Sequence, residues 1–231
     1  MPQLGTIVTA VAVVVAVFLW RIWCMLPRRR HGNSAASPLL GTSPFSGNQT
    51  LHGGATAKKI RTLVVLGSGG HTTEMLKLIK RLSVEQYTPL AFVVAASDHT
   101  SEEKARMERK GSALQVYTIP RSREVGQSWT STVFTSMHSL LYSIAVVFHF
   151  QPDLLLCNGP GTCIPICVAL LLRRFLGLDT TAKLIFCESF ARVQRLSLSG
   201  RILYHVADAF VVHWPQLQAK YPHATYLGTI C

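Results

Sequence analysis

The residues best suited to chemistry begin with the stretch GSGGHTTEM, residues 67–75, where three glycines and a histidine follow a short apolar run. Glycine lets a ligand approach the backbone, and the amide groups at the start of a helix attract anions. The stretch therefore predicts a phosphate site, although a tight turn without a ligand explains the glycines equally well. The residues assigned to this site are Gly67, Ser68, Gly69, Gly70 and Thr72.

The spacing of these glycines differs from that of two common nucleotide-binding loops. No Gly-Lys-Ser/Thr triplet follows them, so the stretch is not a P-loop. The dinucleotide pattern GxGxxG requires glycine where this chain has Thr72, and no acidic residue cleanly ends the next apolar run. We therefore expect no nucleotide cofactor, and the cysteine and histidine spacing does not indicate a metal.

A second glycine-rich stretch, NGPGT at residues 158–162, also lies between a strand-like run and a helix-like run. The carboxyl ends of parallel strands lie at one edge of a sheet, so both stretches should meet there. Two such loops can hold the two phosphates of a pyrophosphate. Asn158, Gly159 and Gly161 are the residues assigned to this second half of the site.

Two titratable side chains are candidates for a general base. His71 is the only titratable group in the first loop, and histidine exchanges protons near neutral pH. The alternative interpretation is that His71 only donates a hydrogen bond to phosphate. Glu188 follows a later strand-like run and is the second candidate, with a buried acid paired to Arg192 as its structural alternative.

The elements that must position these residues alternate along the second part of the chain. Apolar runs of strand length are separated mostly by helix-like segments, which is typical of a parallel sheet covered on both faces. Residues 59–231 are therefore predicted to form one Rossmann-like α/β domain. The strand-like runs are residues 62–66, 90–96, 114–119, 153–157, 183–187 and 209–214.

An apolar segment at residues 4–26, with Arg21 as its one charged residue, precedes this domain. About 20 such residues span a bilayer. A cleaved signal peptide is the rival interpretation, but its basic residues would precede the apolar core, whereas Arg28–Arg30 follow it. We predict an anchor with residues 1–3 on the lumenal side and the body in the cytosol, joined by a Gly-, Ser- and Pro-rich linker at residues 27–58.

The formal net charge of +12 suits an anionic lipid surface or a phosphate-bearing substrate. Nucleic acid is not expected, because RNA-binding and zinc-finger patterns are missing from the sequence. Residues 128–150 contain no formal charge and are predicted to form a buried core helix, with a bilayer-surface helix or a second span as alternatives. The six cysteines are interpreted as free, small apolar core groups.

Several of these motifs together resemble one family. GSGGHTTEM, IPRSREV followed by QSW, CNGPGTCIPICVALLL, LSLSGRILYHVAD and KYPHATYLG occur in the order seen in the membrane-anchoring subunit of the UDP-N-acetylglucosamine transferase of N-glycan precursor assembly. That family resembles the amino-terminal half of bacterial MurG, a two-domain glycosyltransferase of the GT-B type. The resemblance extends from about Arg61 and implies the amino-terminal half of a GT-B fold behind one transmembrane helix.

What the resemblance implies is a split enzyme at the cytosolic face of the endoplasmic reticulum. This chain would bind GlcNAc-pyrophosphoryl-dolichol and recruit a soluble subunit that binds UDP-GlcNAc. Together they would add the second GlcNAc in β-1,4 linkage. The GlcNAc-phosphate transferase of the preceding step is a further implied partner. A pure membrane scaffold and a free-standing nucleotide-sugar enzyme are the rival functions.

The resemblance also assigns residues. It extends to Gly69, Gly70 and His71 of the first loop, to Gly159 and Gly161 of the second, and to Glu188. His213 and Thr229 depart from it, since glutamine and arginine are implied there. The carboxyl terminus is implied to dock the partner through Tyr226, Leu227, Gly228, Thr229, Ile230 and Cys231.

Overall fold

The computed structural model describes residues 2–25, 27, 59–108, 114–122, 126–159, 161–179 and 181–228. This part of the chain contains seven strands and seven helices. The strands are β1 (Thr62–Val65), β2 (Leu90–Ala95), β3 (Gln115–Ile119), β4 (Leu154–Asn158), β5 (Lys183–Cys187), β6 (Ala209–Val212) and β7 (Thr225–Tyr226). The helices are α1 (Pro2–Met25), α2 (Gly70–Lys80), α3 (His99–Glu108), α4 (Trp129–Phe150), α5 (Cys163–Phe175), α6 (Leu198–Leu203) and α7 (Pro215–Lys220).

The seven strands form one parallel sheet in the order β3-β2-β1-β4-β5-β6-β7. β1 is paired on one side with β2, where Val64 lies opposite Phe92, and on the other with β4, where Val64 lies opposite Leu156. Every residue of β1 and β4 is buried, as expected for strands covered on both faces. The strand order reverses between β1 and β4, and this reversal positions the candidate site.

A hydrophobic core lies on each face of the sheet. On one face, Ile166 and Leu170 of α5 belong to the same buried cluster as Leu155 of β4. On the other face, Met75 and Ile79 of α2 belong to a separate buried cluster with strand residues. Full burial of one such side chain contributes about 1.5 to 3 kcal/mol, so the two cores hold the helices firmly against the sheet.

The predicted fold class is confirmed, and the six predicted strands begin and end within two residues of the observed ones. The largest difference is at β6, which ends at Val212 instead of residue 214. The reason is Pro215, which occupies the first turn of α7 and makes Trp214 the N-cap residue of that helix. The short edge strand β7 is not among the six predicted strand-like runs.

The N-terminal segment forms the helix α1, whose side chains at positions 11–20 are exposed. The Phe18 ring contacts the edge of the Phe175 ring of α5, with centroids 5.3 Å apart. Within the described residues, Val11–Cys24 is a shorter apolar helix, and only Thr130–Phe150 of α4 has the length and composition to cross a membrane. The anchor at residues 4–26 stays a prediction, and Arg28–Arg30 lie outside the described residues.

The expectation that residues 128–150 form a buried core helix is wrong for much of α4. Only 28% of the apolar stretch within Thr130–Phe150 is buried. Ser139 and Ser143 face the interior and are fully buried, while apolar residues three to four positions apart form the outer face. The apolar residues of this outer face were assigned to the core because hydropathy does not reveal which face of a helix meets the core. The exposed large side chains are Val133, Phe134, Met137, Leu141 and Tyr142.

The cysteines described in the α/β body are free thiols in its interior. Cys157 and Cys167 contribute to the same core, with their sulfur atoms 3.5 Å apart. The interpretation of body cysteines as small apolar core groups is confirmed for Cys157, Cys163, Cys167 and Cys187, whereas Cys24 of α1 is exposed and Cys231 lies outside the described residues.

Candidate functional site

The two glycine-rich loops meet where the strand order reverses. The loop at residues 66–69 follows β1, and the loop at residues 159–162 follows β4. In an open α/β sheet, the connections on either side of such a reversal leave in opposite directions, and a ligand-binding crevice opens between them. The space between these loops is called the crevice below. The sequence-based expectation that both loops share one edge of the sheet is met.

The first loop has open space above its last two glycines. Gly69 has a φ of +64°, a left-handed conformation that favours glycine, and it is the N-cap residue of α2. A Cβ atom added to Gly69 or to Gly70 would meet no heavy atom within 4 Å. The turn therefore leaves room for a ligand directly beside the backbone.

The helices that begin at the crevice have no side-chain caps. The N-cap residue of α2 is Gly69, and Thr162 at the start of α5 forms no capping hydrogen bond. By contrast, the hydroxyls of Ser128 and Ser197 cap α4 and α6. Uncapped amide groups and the positive end of the helix dipole favour a bound anion.

Thr72 supports the first loop from the protein interior. The residue is fully buried, and its hydroxyl donates to the Gly67 carbonyl. The same hydroxyl lies 2.5 Å from Oγ of Ser101, which in turn donates to Oδ2 of Asp98 at 2.7 Å. The sequence-based assignment is corrected accordingly, because the Thr72 hydroxyl fixes the loop backbone and does not face the crevice.

Asn158 also supports the first loop from the protein interior. It is buried at the end of β4, and its Nδ2 donates to the carbonyl of His71 at 2.8 Å. This bond holds the first turn of α2 against β4. The side chain of Asn158 is therefore a clamp between the two loops, which corrects its assignment as a direct phosphate ligand.

The second loop is shaped to accept the imidazole of His71. Gly159 has a φ of +34°, and a Cβ added there would lie 2.4 Å from Cε1 of His71. Only a residue without a side chain permits this contact. Gly161 is less constrained, because its added Cβ would lie at an ordinary 3.6 Å from Oγ of Ser122. Pro160, between them, lies outside the described residues.

A carboxylate that sequence reasoning missed lies beside His71. Oε2 of Glu74 is 3.5 Å from Nδ1 of His71, and Oε1 accepts a hydrogen bond from Oγ of Ser189 at 3.0 Å. Nδ2 of Asn158 lies 3.5 Å from the same Oε2. Glu74 thus connects α2 with the end of β4 and with the segment that follows β5. Its position three residues after His71, on the same helix face, was the available signal.

The protonation of Glu74 is set by opposing effects. Burial raises the pKa of Glu74. The polar interactions with His71 and Ser189 and the charges of His71 and His213 lower it by more, so the net shift is downward. Nearby, His213 is buried and its Nε2 lies 3.4 Å from Sγ of Cys187. Burial lowers the pKa of His213, although Glu74 and backbone contacts with Gly228 and Glu188 partly oppose this. An ionised Glu74 beside His71 is the favoured arrangement.

Glu188 is engaged inside the protein. It is fully buried, and its Oε2 accepts hydrogen bonds from the backbone and hydroxyl of Ser197 at 2.8 and 3.1 Å. Its Oε1 accepts from the backbone of Ser189 at 3.0 Å. Burial raises the pKa of Glu188, and these hydrogen bonds and the charge of Arg192 only partly offset it. Glu188 fixes the segment between β5 and α6, which makes His71 the stronger candidate base.

The carboxyl-terminal segment ends at the edge of the sheet. β7 is paired only with β6, and Tyr226 is 38% exposed. Leu227 packs partly against one core, and Gly228 contacts His213 through its backbone. The docking role assigned to Tyr226, Leu227, Gly228, Thr229, Ile230 and Cys231 stays a prediction, and the last three lie outside the described residues.

The parallel sheet and the crevice at its strand reversal define a Rossmann-like α/β protein with one candidate ligand site between two glycine loops. The fold is similar to that in the crystal structure of Acinetobacter baumannii MurG, with a TM-score of 0.50 and 16% identity. The match covers 68% of this chain but 42% of the MurG chain. The described body therefore corresponds to less than half of that protein.

The chain belongs to the family described as oligosaccharide biosynthesis protein Alg14 like, whose model matches residues 62–230. The UDP-N-acetylglucosamine transferase subunit ALG14 of Mus musculus is 47% identical over 184 residues, covering 75% of this chain and 84% of the relative. The Schizosaccharomyces pombe subunit of the same name is 44% identical over 174 residues, covering 73% and 82%. The resemblance stated from the motifs is thereby confirmed.

Proposed function

We propose that this chain is the membrane-anchoring and acceptor-binding subunit of a split UDP-GlcNAc transferase. With a soluble donor-binding catalytic subunit, it would add the second GlcNAc, in β-1,4 linkage, to GlcNAc-pyrophosphoryl-dolichol. The reaction would take place at the cytosolic face of the endoplasmic reticulum, close to the GlcNAc-phosphate transferase of the preceding step. The relatives named as transferase subunits support this proposal.

The observation that supports acceptor binding best is the pair of uncapped helix starts around an open glycine turn. α2 and α5 begin at the crevice without side-chain caps, and added Cβ atoms at Gly69 and Gly70 would meet no neighbouring group within 4 Å. A pyrophosphate offers one phosphate to each helix. The lipid of the acceptor is compatible with the apolar, exposed side chains of α1 and of the outer face of α4.

The division of the enzyme between two chains is part of this proposal. A body of about 170 residues is enough for one Rossmann-like domain. A GT-B enzyme needs a second such domain for its nucleotide-sugar donor. We assign that domain to the soluble partner and assign its docking to residues 226–231 of this chain.

The chemistry assigned to this chain is proton removal at the acceptor. The acceptor pyrophosphate lies against the amides of both loops, and its sugar 4-hydroxyl meets the imidazole of His71. His71 accepts the hydroxyl proton as the oxygen attacks the anomeric carbon of UDP-GlcNAc, and UDP leaves on the partner's side. A third of the His71 side chain is exposed, which leaves it accessible from the crevice.

The division of labour predicts that the full-length chain alone does not bind UDP-GlcNAc tightly. Calorimetry on the chain in detergent should give no saturable heat at donor concentrations of about 1 mM, the upper end of ordinary substrate KM values. Adding the catalytic subunit should restore donor binding, which provides the control. Tight donor binding without a partner would support a free-standing nucleotide-sugar enzyme and would defeat the split-enzyme proposal.

A further inference from the structure

The carboxylate of Glu74 lies at the junction of three segments that form the crevice. Glu74 belongs to the first turns of α2, accepts a hydrogen bond from Ser189 after β5 at 3.0 Å, and lies 3.5 Å from Nδ2 of Asn158 at the end of β4. Its side chain is 19% exposed. A partly buried carboxylate with defined neighbours on both oxygens has little freedom to rotate.

The neighbouring imidazole is held between this carboxylate and a glycine. Nδ1 of His71 is a buried atom 3.5 Å from Oε2 of Glu74. On its other side, the ring leaves no space for a side chain at Gly159. Since Nδ1 faces Glu74, Nε2 is the nitrogen left for a substrate. The two side chains do not form a hydrogen bond in this structure. Catalytic hydrogen bonds are often long or poorly aligned without substrate and shorten in the reacting complex.

We propose that Glu74 is a positioning residue that orients His71 and stabilises the imidazolium formed when His71 accepts the acceptor proton. This inference rests on the proposed function and adds a residue to it. The proton moves from the acceptor 4-hydroxyl to Nε2, while Nδ1 keeps its proton and donates to Oε2. Glu74 stays ionised throughout, so no proton passes to the carboxylate.

Several titratable groups face this pair. His71 faces Glu74 from the same helix. His213 follows β6 and Cys187 is the last residue of β5, and both line the small space behind Glu74 together with Asn158. The net lowering of the Glu74 pKa is consistent with a carboxylate that remains charged at neutral pH. Burial lowers the pKa of His213, and the charge of Glu74 partly opposes this shift.

The test is Glu74→Gln in the full chain assembled with its catalytic subunit. We expect kcat to fall about 10-fold to 150-fold, the effect of losing one charged hydrogen bond, with little change in acceptor KM. A negative neighbour favours the charged imidazole. Glu102→Gln, which removes an exposed carboxylate paired with Arg106, is the matched control and should change neither property.

Two further variants separate positioning from general stability. Glu74→Asp keeps the charge and should recover part of kcat, and the double variant His71→Ala/Glu74→Gln should fall no further than His71→Ala alone. Losses that multiply in the double variant, or a Glu74→Asp variant no better than Glu74→Gln, would overturn the role of Glu74. If His71→Ala itself leaves kcat unchanged, the proposed base fails first; if only Glu74→Gln is silent, this inference alone fails.

Discussion

Replacing His71 by alanine should lower kcat of the assembled transferase by about 100-fold to 10,000-fold, the usual contribution of a general base. The variant removes the imidazole from the crevice but keeps the backbone, whose carbonyl still accepts the bond from Asn158. Steady-state kinetics with the catalytic subunit, UDP-GlcNAc and a short-chain lipid pyrophosphate acceptor provide the measurement.

Thr73→Ala is the matched control, because Thr73 is the exposed residue two positions further along α2. It should leave kcat unchanged. If His71 only contacts phosphate, His71→Ala should instead raise the acceptor KM by about 10-fold to 150-fold at constant kcat. If both parameters keep their wild-type values in an assembled complex, the glycine loop is a turn and the chain is a scaffold.

A comparably large effect is expected from Gly159→Ala, although a single methyl group is added. Its Cβ would lie 2.4 Å from Cε1 and 2.6 Å from Nδ1 of His71, so the ring must move. The φ of +34° also places the new side chain in a conformation that costs about 1 to 2 kcal/mol. A displacement of about 1 Å at a reacting group can cost about 100-fold in rate. We therefore expect kcat to fall by about 100-fold.

Gly161→Ala provides the control within the same loop. Its added Cβ would be 3.6 Å from Oγ of Ser122, an ordinary van der Waals contact, so this variant leaves His71 in place and should lose less activity than Gly159→Ala. Because Gly159 acts through His71, the variant His71→Ala/Gly159→Ala should be little worse than His71→Ala. Equal losses for Gly159→Ala and Gly161→Ala, or fully multiplicative losses in the double variant, would refute this contact as the cause.

The sequence predicted the sheet well because its signals are local. Apolar strands such as β1 and β4, each ending in a glycine-rich turn, can form only the interior of a parallel sheet. The direction of individual side chains was less predictable. Thr72 and Asn158 turn inward because the carbonyls of Gly67 and His71 need donors, and these carbonyls come close only after folding.

Two further features depended on tertiary packing. Glu74 could be placed on the His71 face of α2 from helical spacing, but its hydrogen bond with Ser189 joins residues 115 positions apart in sequence. The outer face of α4 was misassigned because its apolar stripe, including Phe134 and Leu141, satisfies the same pattern as a core stripe. Only the position of the sheet shows which side is covered.

The central claim is that the acceptor pyrophosphate binds at the first glycine loop of this chain, and equilibrium binding to Gly70→Val tests it most directly. A Cβ at Gly70 meets no group outside its own helix turn within 4 Å, so the first carbon of the valine side chain enters open space where the ligand is proposed to bind. The measurement is the affinity of a short-chain GlcNAc-pyrophosphate lipid for the donor-free complex, with Thr73→Val as the exposed β-branched control. We expect Gly70→Val to weaken binding at least about 10-fold, the loss of one charged hydrogen bond, and the control to bind like wild type. Wild-type acceptor affinity in Gly70→Val would contradict the claim.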